Sequence, residues 1–235
     1  MGDFLDLKLN EKNLDTYYIR QSILNALTQT LPSFNGKLLD IGCGKMPYKN
    51  FVIENSKVTE YIGLDIAHAL QYSQTVEPDY LWDGIIMPFE SCSFNSAVGT
   101  EVLEHCPEPE IILKETYRVL KPNGVFFFTV PFLWNLHETP NDQYRYTPYS
   151  LDRHLSNSGF TEIEIKATGG WHGSLAQMLG LWVRRAPMTA NKRKWLSKIL
   201  KPVIQYLIKK DRTVKVLREG QMITGLYGTA KKICK

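Results

Sequence analysis

Two stretches carry residues whose types and spacing can do chemistry. The first is Leu38–Tyr48, LLDIGCGKMPY. Gly42 and Gly44 stand where an apolar run would turn from strand into loop. Glycine lets the backbone take positive φ and lets a ligand lie against the main chain. Asp40, just ahead of them, suits a ligand with a positive group and repels phosphate, unlike the amide cradles at helix N-termini that face anions. Lys45, Met46 and Pro47 follow, so the third glycine of the dinucleotide fingerprint G-x-G-x-x-G is missing. An ordinary strand-to-helix turn is the alternative. The second stretch, PFLWNLHETPNDQYRYTPYSLDRHL, gathers Phe132, Trp134, His137, Glu138, Asn141, Asp142, Tyr144, Arg145 and Tyr146 in one loop. Rings can stack on flat faces of an acceptor while polar groups fix its orientation. His137 is the first candidate for a general base and His105 the second, with Glu138 and Asp142 as carboxylates in the same catalytic set. The alternative is a self-packed surface loop stapled by Arg145 to a carboxylate. His137, Glu138 and Asp142 are also metal-ligand types, but their spacing does not establish convergence in space, and no metal is expected.

Elements that could position these residues follow from the pattern. Strand and helix alternate from Gly36 onward. Strands are expected over Lys37–Ile41 and Glu60–Leu64, near Asp79–Leu81 and Asn95–Gly99, and over Val125–Val130. The last reads VFFFTV, a run that fits a strand covered on both faces by helices. A helix opens with Pro107 and Pro109 and stops at Lys121-Pro122-Asn123-Gly124. Thr147 caps another that ends at Ser158-Gly159, Phe160–Ala167 alternates as a strand, and Gln221–Ile233 reads as the last strand. Earlier, Asp15–Leu31 carries apolar residues at helical spacing, so residues 1–35 are expected to form a helical cap on a domain of residues 36–235. In open α/β sheets, ligands bind outside the carboxyl ends of the strands. Both chemistry-bearing stretches leave such ends. Asp65 ends the second strand about 20 residues after Gly44, the separation at which a Rossmann-like fold sets a carboxylate on ribose hydroxyls. Capping the next helix is the alternative role.

Taken in order, LLDIGCG, Asp65, Asp83 ahead of MPF, TEVLEH and YRVLKPNGVFFFTVP resemble the class I S-adenosylmethionine-dependent methyltransferases, closest to the methyltransferase type 11 group. The resemblance runs from Gly36 to Thr168. It implies an α/β fold with a Rossmann-like, doubly wound seven-stranded sheet, helices on both faces and an antiparallel last strand between strands five and six. It also implies the cofactor, S-adenosylmethionine, and its contacts. Asp40, Gly42 and Gly44 would line the methionine part, Asp65 would bind the ribose, and Asp83 and Gly84 would meet the adenine edge. Thr100 and Glu101 would lie beside the methionine and sulfonium, with His105 near them; Cys43 and Ile66 complete the expected contacts. Phe94-Asn95 departs from the family's frequent Phe-Asp, and Pro47 in GCGKMPY resembles a subgroup found with surface-glycan synthesis. The activity implied is methyl transfer to an oxygen or nitrogen of a small-molecule or glycan acceptor, a lipid-linked one included. Methylation of a lipid, quinone or other metabolite is the alternative reaction, and a non-catalytic cofactor-binding protein the alternative class.

The chain has 235 residues and a net charge of +4, enough length for a sizeable core. The charge is unevenly placed. Twelve Lys and Arg residues between Arg184 and Arg218 face one acid, Asp211. Trp195, Leu196, Ile199, Leu200, Val203, Ile204, Leu207 and Ile208 form an apolar stripe within that segment, and Pro202 is expected to divide it into two helices. Residues 174–218 therefore read as a basic helical insertion. Its stripe can pack on the domain with the lysines as its wet face. It can instead lie on an anionic membrane through residues 192–215. Nucleic-acid binding would leave the apolar side unexplained. The opening MGDFLDLKLN has neither the basic start nor the apolar run of a signal peptide, and Asp6 stands where myristoylation requires Ser or Thr. Cys43, Cys92, Cys106 and Cys234 show no metal-type spacing and read as reduced thiols. A cytoplasmic location is expected, peripheral to the inner face of a membrane if the insertion touches one.

Overall fold

The computed structural model describes residues 4–5, 7–66 and 77–233; the Met-Gly start, Asp6 and Cys234 lie outside them. Seven strands form one sheet: β1 (Asn35–Ile41), β2 (Lys57–Ile66), β3 (Tyr80–Trp82), β4 (Phe94–Thr100), β5 (Leu120–Pro131), β6 (Thr161–Thr168) and β7 (Gly225–Lys231). Their spatial order is β3-β2-β1-β4-β5-β7-β6. The first five pair in parallel, and β7 runs antiparallel between β5 and β6. Strand order reverses between β1 and β4, so the crevice for a ligand opens outside their carboxyl ends.

The strands are apolar on both faces because helices cover both. Six helices are present among the described residues: α1 (Tyr17–Thr30), α2 (Lys49–Asn55), α3 (Pro109–Val119), α4 (Pro148–Asn157), α5 (Trp171–Arg185) and α6 (Ala190–Lys210). Ile23 and Leu27 of α1 and Val52 of α2 pack with Leu38, Val98 and Phe127. Leu113 of α3 and Leu151 and Leu155 of α4 pack with Leu39, Ala97 and Phe126. Consecutive strand residues thus enter opposite clusters, as a period of two requires. Phe126, Phe127 and Phe128 are all fully buried, and each contributes about 1.5–3 kcal/mol by leaving water.

Three expectations are corrected. Pro202 does not divide the basic segment, because α6 runs unbroken through it. Proline removes one amide donor and crowds one carbonyl. Packing offsets that cost: Ile204 and Leu207, with Leu200 and Ile208 alongside, sit against Leu14, Ala176 and Val183. The helical region begins at Trp171 rather than at residue 174, because Asp211 accepts from the Gly170 and Gly173 amides at 3.0 and 2.7 Å and satisfies the start of α5. The last strand begins at Gly225 rather than Gln221; Gln221 Oε1 instead accepts from the Arg218 amide at 3.0 Å and closes a turn. Asp211 also accepts from the Tyr18 hydroxyl at 2.5 Å, and Arg185 pairs with Asp15 at 2.7 Å. The α5–α6 hairpin is therefore fastened to the N-terminal segment.

Candidate active site

β1 delivers the chain into a glycine turn that β2 holds in place. Gly42 and Gly44 have φ of +64° and +48°. A Cβ on Gly42 would also meet Val102 Cγ2 at 2.6 Å, so both conformation and space demand glycine there. The Gly42 and Cys43 amides donate to the Leu64 carbonyl at 2.8 and 3.1 Å. The Gly44 amide donates to Asp65 Oδ2 at 3.0 Å, and the Ile66 amide to Asp65 Oδ1 at 2.9 Å. An ionised carboxylate has further lone pairs to accept hydroxyl donors. Burial raises the Asp65 pKa, and the Ile66 and Gly44 amides oppose that rise.

The side chains of Asp40 and Cys43 turn inward beneath the turn. Asp40 is 4% exposed and Cys43 3%. Asp40 Oδ2 accepts from the Tyr61 hydroxyl at 2.6 Å beneath the turn. Burial pushes its carboxyl up to about 7, against the Tyr61 bond. The Cys43 thiol packs toward Gly63, where an added Cβ would meet its sulfur at 2.9 Å. Asp83 turns back on its own loop: Oδ1 accepts from the Ile85 and Ile86 amides at 2.8 and 3.1 Å, which holds the carboxyl below its ordinary value. Gly84 lies beside Ile66, a Cβ there standing 3.8 Å from Ile66 Cγ2. Ile66, Ile85 and Ile86 are exposed and form an apolar edge able to take a flat ring.

Across the crevice, β4 ends at Thr100 and Glu101 takes φ of +55°. The Glu101 amide donates to Thr129, and Glu101 Oε1 accepts from the Thr129 hydroxyl at 2.7 Å. Burial raises the Glu101 pKa, and the Thr129 bond opposes it. A 3-10 turn, Leu103–His105, follows. The loop after β5 folds onto it: the Gln143 and Tyr144 amides donate to the Glu104 carbonyl at 2.8 and 3.1 Å, and the Tyr146 hydroxyl to the Leu103 carbonyl at 2.9 Å.

The Arg145 staple is present, and it does more than close the loop. Arg145 donates to both oxygens of Asp142, at 2.6 and 2.9 Å. That pairing lowers the Asp142 carboxyl to about 2. Asp142 Oδ2 also accepts from the His137 amide at 3.1 Å and faces His137 Nδ1 at 3.2 Å. Asp142 is therefore a positioning residue for the His137 ring. His105 stands beside it, ring centroids 4.8 Å apart, with Nδ1 at 3.2 Å from the Asn141 carbonyl. His105 Nε2 faces Glu104 Oε1 at 3.7 Å and Glu138 Oε2 at 3.8 Å. Burial holds the His105 ring below its ordinary pKa. Burial raises the Asp65 pKa most, and the Glu138 charge adds to that rise.

Glu104 is the residue that sequence reasoning passes over. Its side chain is fully buried, and neither carboxylate oxygen has a hydrogen-bond partner. Burial, reinforced by Glu101, pushes it well above the ordinary carboxylate range. The only signal in the sequence is its place next to His105 in TEVLEH.

A family model described as a methyltransferase domain matches residues 39–128, which include the glycine turn, Asp65, Asp83 and TEVLEH. The ubiquinone biosynthesis O-methyltransferase of Histophilus somni is 30% identical over 142 residues, 54% of this chain and 55% of that protein. The biotin biosynthesis bifunctional protein BioHC of Saccharophagus degradans is 28% identical over 120 residues, 48% of this chain and 21% of that protein. The chain thus spans between 21% and 55% of the length of these curated relatives. A solved S-adenosylmethionine-dependent methyltransferase from Archaeoglobus fulgidus superposes with a TM-score of 0.59 at 17% identity, covering 94% of this chain and 97% of that one. A Haemonchus contortus phosphoethanolamine N-methyltransferase 2, solved with S-adenosylhomocysteine, gives 0.57 at 18% identity over 91% of this chain and 52% of that one. At these identities the likeness shows the fold.

Proposed function

The chain belongs to the class I S-adenosylmethionine-dependent methyltransferase family, and from that premise we propose that it methylates an oxygen or nitrogen of a small-molecule or glycan acceptor. The observation that carries this reading is a glycine turn braced by Asp65, together with the paired His105 and His137 rings. Asp65, which accepts from the Gly44 amide, sets a carboxylate against the turn, which suits a ligand with hydroxyl donors and repels a pyrophosphate. The cofactor supplies a methyl carbon on a sulfonium and departs as a neutral thioether. Asp65 accepts the ribose hydroxyls, Ile66, Gly84 and Ile85 take the adenine, and the Gly42–Gly44 backbone lies against the methionine part. His137 takes the acceptor proton at Nε2, which the Nδ1 contact with Asp142 leaves bare, and passes it to solvent. Because the leaving group is neutral, holding acceptor, methyl carbon and sulfur in line supplies much of the rate. Trp134, half-buried 6.5 Å from the His137 ring, supports an acceptor with a face to stack on, such as a sugar.

Asp65→Ala is expected to weaken S-adenosylmethionine and S-adenosylhomocysteine together, since both carry the ribose. Losing charge-assisted hydrogen bonds costs on the order of 1.5–3 kcal/mol. Calorimetric titration of both ligands checks this, and unchanged affinities would remove Asp65 from the ribose site.

A lipid-linked acceptor is supported by the α5–α6 hairpin. No helix among the described residues is long and apolar enough to cross a membrane. Yet Trp171, Leu175, Met178 and Trp182 on α5, and Trp195, Ile199, Val203 and Tyr206 on α6, are between 42% and 65% exposed. Their spacing of three or four residues puts each set on one side of its helix. The adjoining side of α6, with Leu196, Leu200, Ile204 and Leu207, packs on the domain. Exposed Lys192, Lys194, Lys198, Lys209 and Lys210 flank the α6 set. Apolar rings bordered by lysines suit the boundary of an anionic membrane, where each basic residue contributes about 1 kcal/mol within a Debye length. The protein is expected to pellet with anionic vesicles at low salt, to be released by high salt, and to bind neutral vesicles weakly. Lys194, Lys198, Lys209 and Lys210 changed to Glu should abolish pelleting with cofactor affinity intact. Equal pelleting with anionic and neutral vesicles would reject the anionic-membrane reading.

A further inference from the structure

We infer that Glu104, His105 and His137 form a site for one divalent first-row transition-metal ion, of which zinc is the representative. Four observations converge on it. One ligand atom from each residue lies within 4.8 Å of the others. Ligands bound at about 2.0–2.2 Å to a shared zinc ion stand closer than this, so rotation of half-buried side chains closes the set. Second, both imidazoles are held from behind: His105 Nδ1 faces the Asn141 carbonyl and His137 Nδ1 faces Asp142, at 3.2 Å each. That is how metal-binding histidines are fixed, with one nitrogen donating to a carbonyl or carboxylate and the other presenting its lone pair.

Third, Glu104 supplies a fully buried carboxyl group with neither oxygen hydrogen-bonded and Oε1 3.7 Å from His105 Nε2. A buried polar group without a hydrogen-bond partner is costly, and such a group calls for an occupant. Fourth, the one arginine of the cluster is spent. Arg145 donates to both oxygens of Asp142, while Glu138 stands 3.8 Å from His105. No hydrogen bond from Arg145 therefore reaches the Glu104 carboxylate. Two imidazoles and a carboxylate are a donor set for zinc, cobalt, iron or manganese ions. Three protein ligands leave a position open for water or an acceptor oxygen. The binding site stands whatever the acceptor is. Its role rests on the methyltransferase reading: a hydroxyl bound at the open position would lose its proton more easily, and His137 Nε2, then a ligand, would not itself take that proton.

The test uses the full chain, stripped with a chelator and titrated with cobalt and with zinc. One Co²⁺ per chain, with visible absorption bands that Zn²⁺ displaces, is the expected result. Glu104→Gln, His105→Ala and His137→Ala should each weaken zinc by more than 100-fold, and Asp142→Asn by 10–100-fold as an outer partner. Circular dichroism and S-adenosylhomocysteine titration verify that each variant is folded. Folded wild-type protein that takes up no stoichiometric metal overturns the proposal. So does Glu104→Gln binding zinc as tightly as wild type, or raising the melting temperature of metal-free protein without any metal bound by the wild type. Stoichiometric cobalt in a protein that fails to bind S-adenosylhomocysteine would leave the metal site standing and reject the methyltransferase reading alone.

Discussion

His137→Ala is expected to lower turnover of cofactor-saturated enzyme by about 10² to 10⁴, with affinity for S-adenosylhomocysteine unchanged. The separation follows from where the ring sits. His137 lies in the loop after β5, held by Asp142 at its amide and at Nδ1. The cofactor contacts assigned above come from the glycine turn and the end of β2. Asp142→Asn should reduce turnover less, because an amide oxygen can still accept from Nδ1 while the charge that fixes the ring is lost. Single-turnover methylation at saturating cofactor, paired with calorimetry, checks both variants. Normal turnover on saturated His137→Ala enzyme would remove the residue from the acceptor site. The expectation holds whether His137 carries the proton or a metal ion; the cobalt titration separates those roles.

What was legible in the sequence was local. The VFFFTV run, the proline-opened helix α3 and the Thr147 cap each carry their signal within a few residues, and each forms as expected. Gly42 and Asp65 were legible because a turn and a strand end impose fixed backbone demands, met here by φ of +64° and by the Gly44 amide. The rest depends on residues far apart in the chain. Asp40 faces inward because Tyr61, on the neighbouring strand, offers a hydroxyl beneath the turn. Glu104 meets His137 only because the loop after β5 donates two amides to the Glu104 carbonyl. In the sequence Pro202 points to a break because its cost is local, whereas the packing that offsets it comes from Leu14, Ala176 and Val183. The exposed stripe of α5 is not legible in the sequence because that stretch also holds Gly173, Ser174, Ala176, Gln177 and Gly180, small or polar residues that form its buried side.

Asp40→Asn is expected to stabilise the fold at neutral and alkaline pH and to flatten part of its pH dependence. In the folded chain burial raises the Asp40 carboxyl from 3.8 to about 7. Between those values the folded state holds a proton that the unfolded state has released. Stability therefore falls as pH rises through this window, by about 4 kcal/mol in all. Most of that, about 2–3 kcal/mol, is lost between roughly pH 5 and pH 8. Glu101 and Glu104 are raised by burial too and give the same sign. Asp142, lowered to about 2, acts oppositely, its contribution disappearing as pH falls from about 4 to 2. The wild-type slope is thus a composite, and the difference between wild type and variant isolates Asp40. Asparagine keeps an oxygen to accept from the Tyr61 hydroxyl, so the substitution removes the charge without orphaning its partner. Denaturant unfolding of both proteins at several pH values measures the difference. It should grow in favour of the variant as pH rises toward 8. Parallel curves would mean that Asp40 is ionised in the folded state throughout, with its charge balanced by a group other than Tyr61.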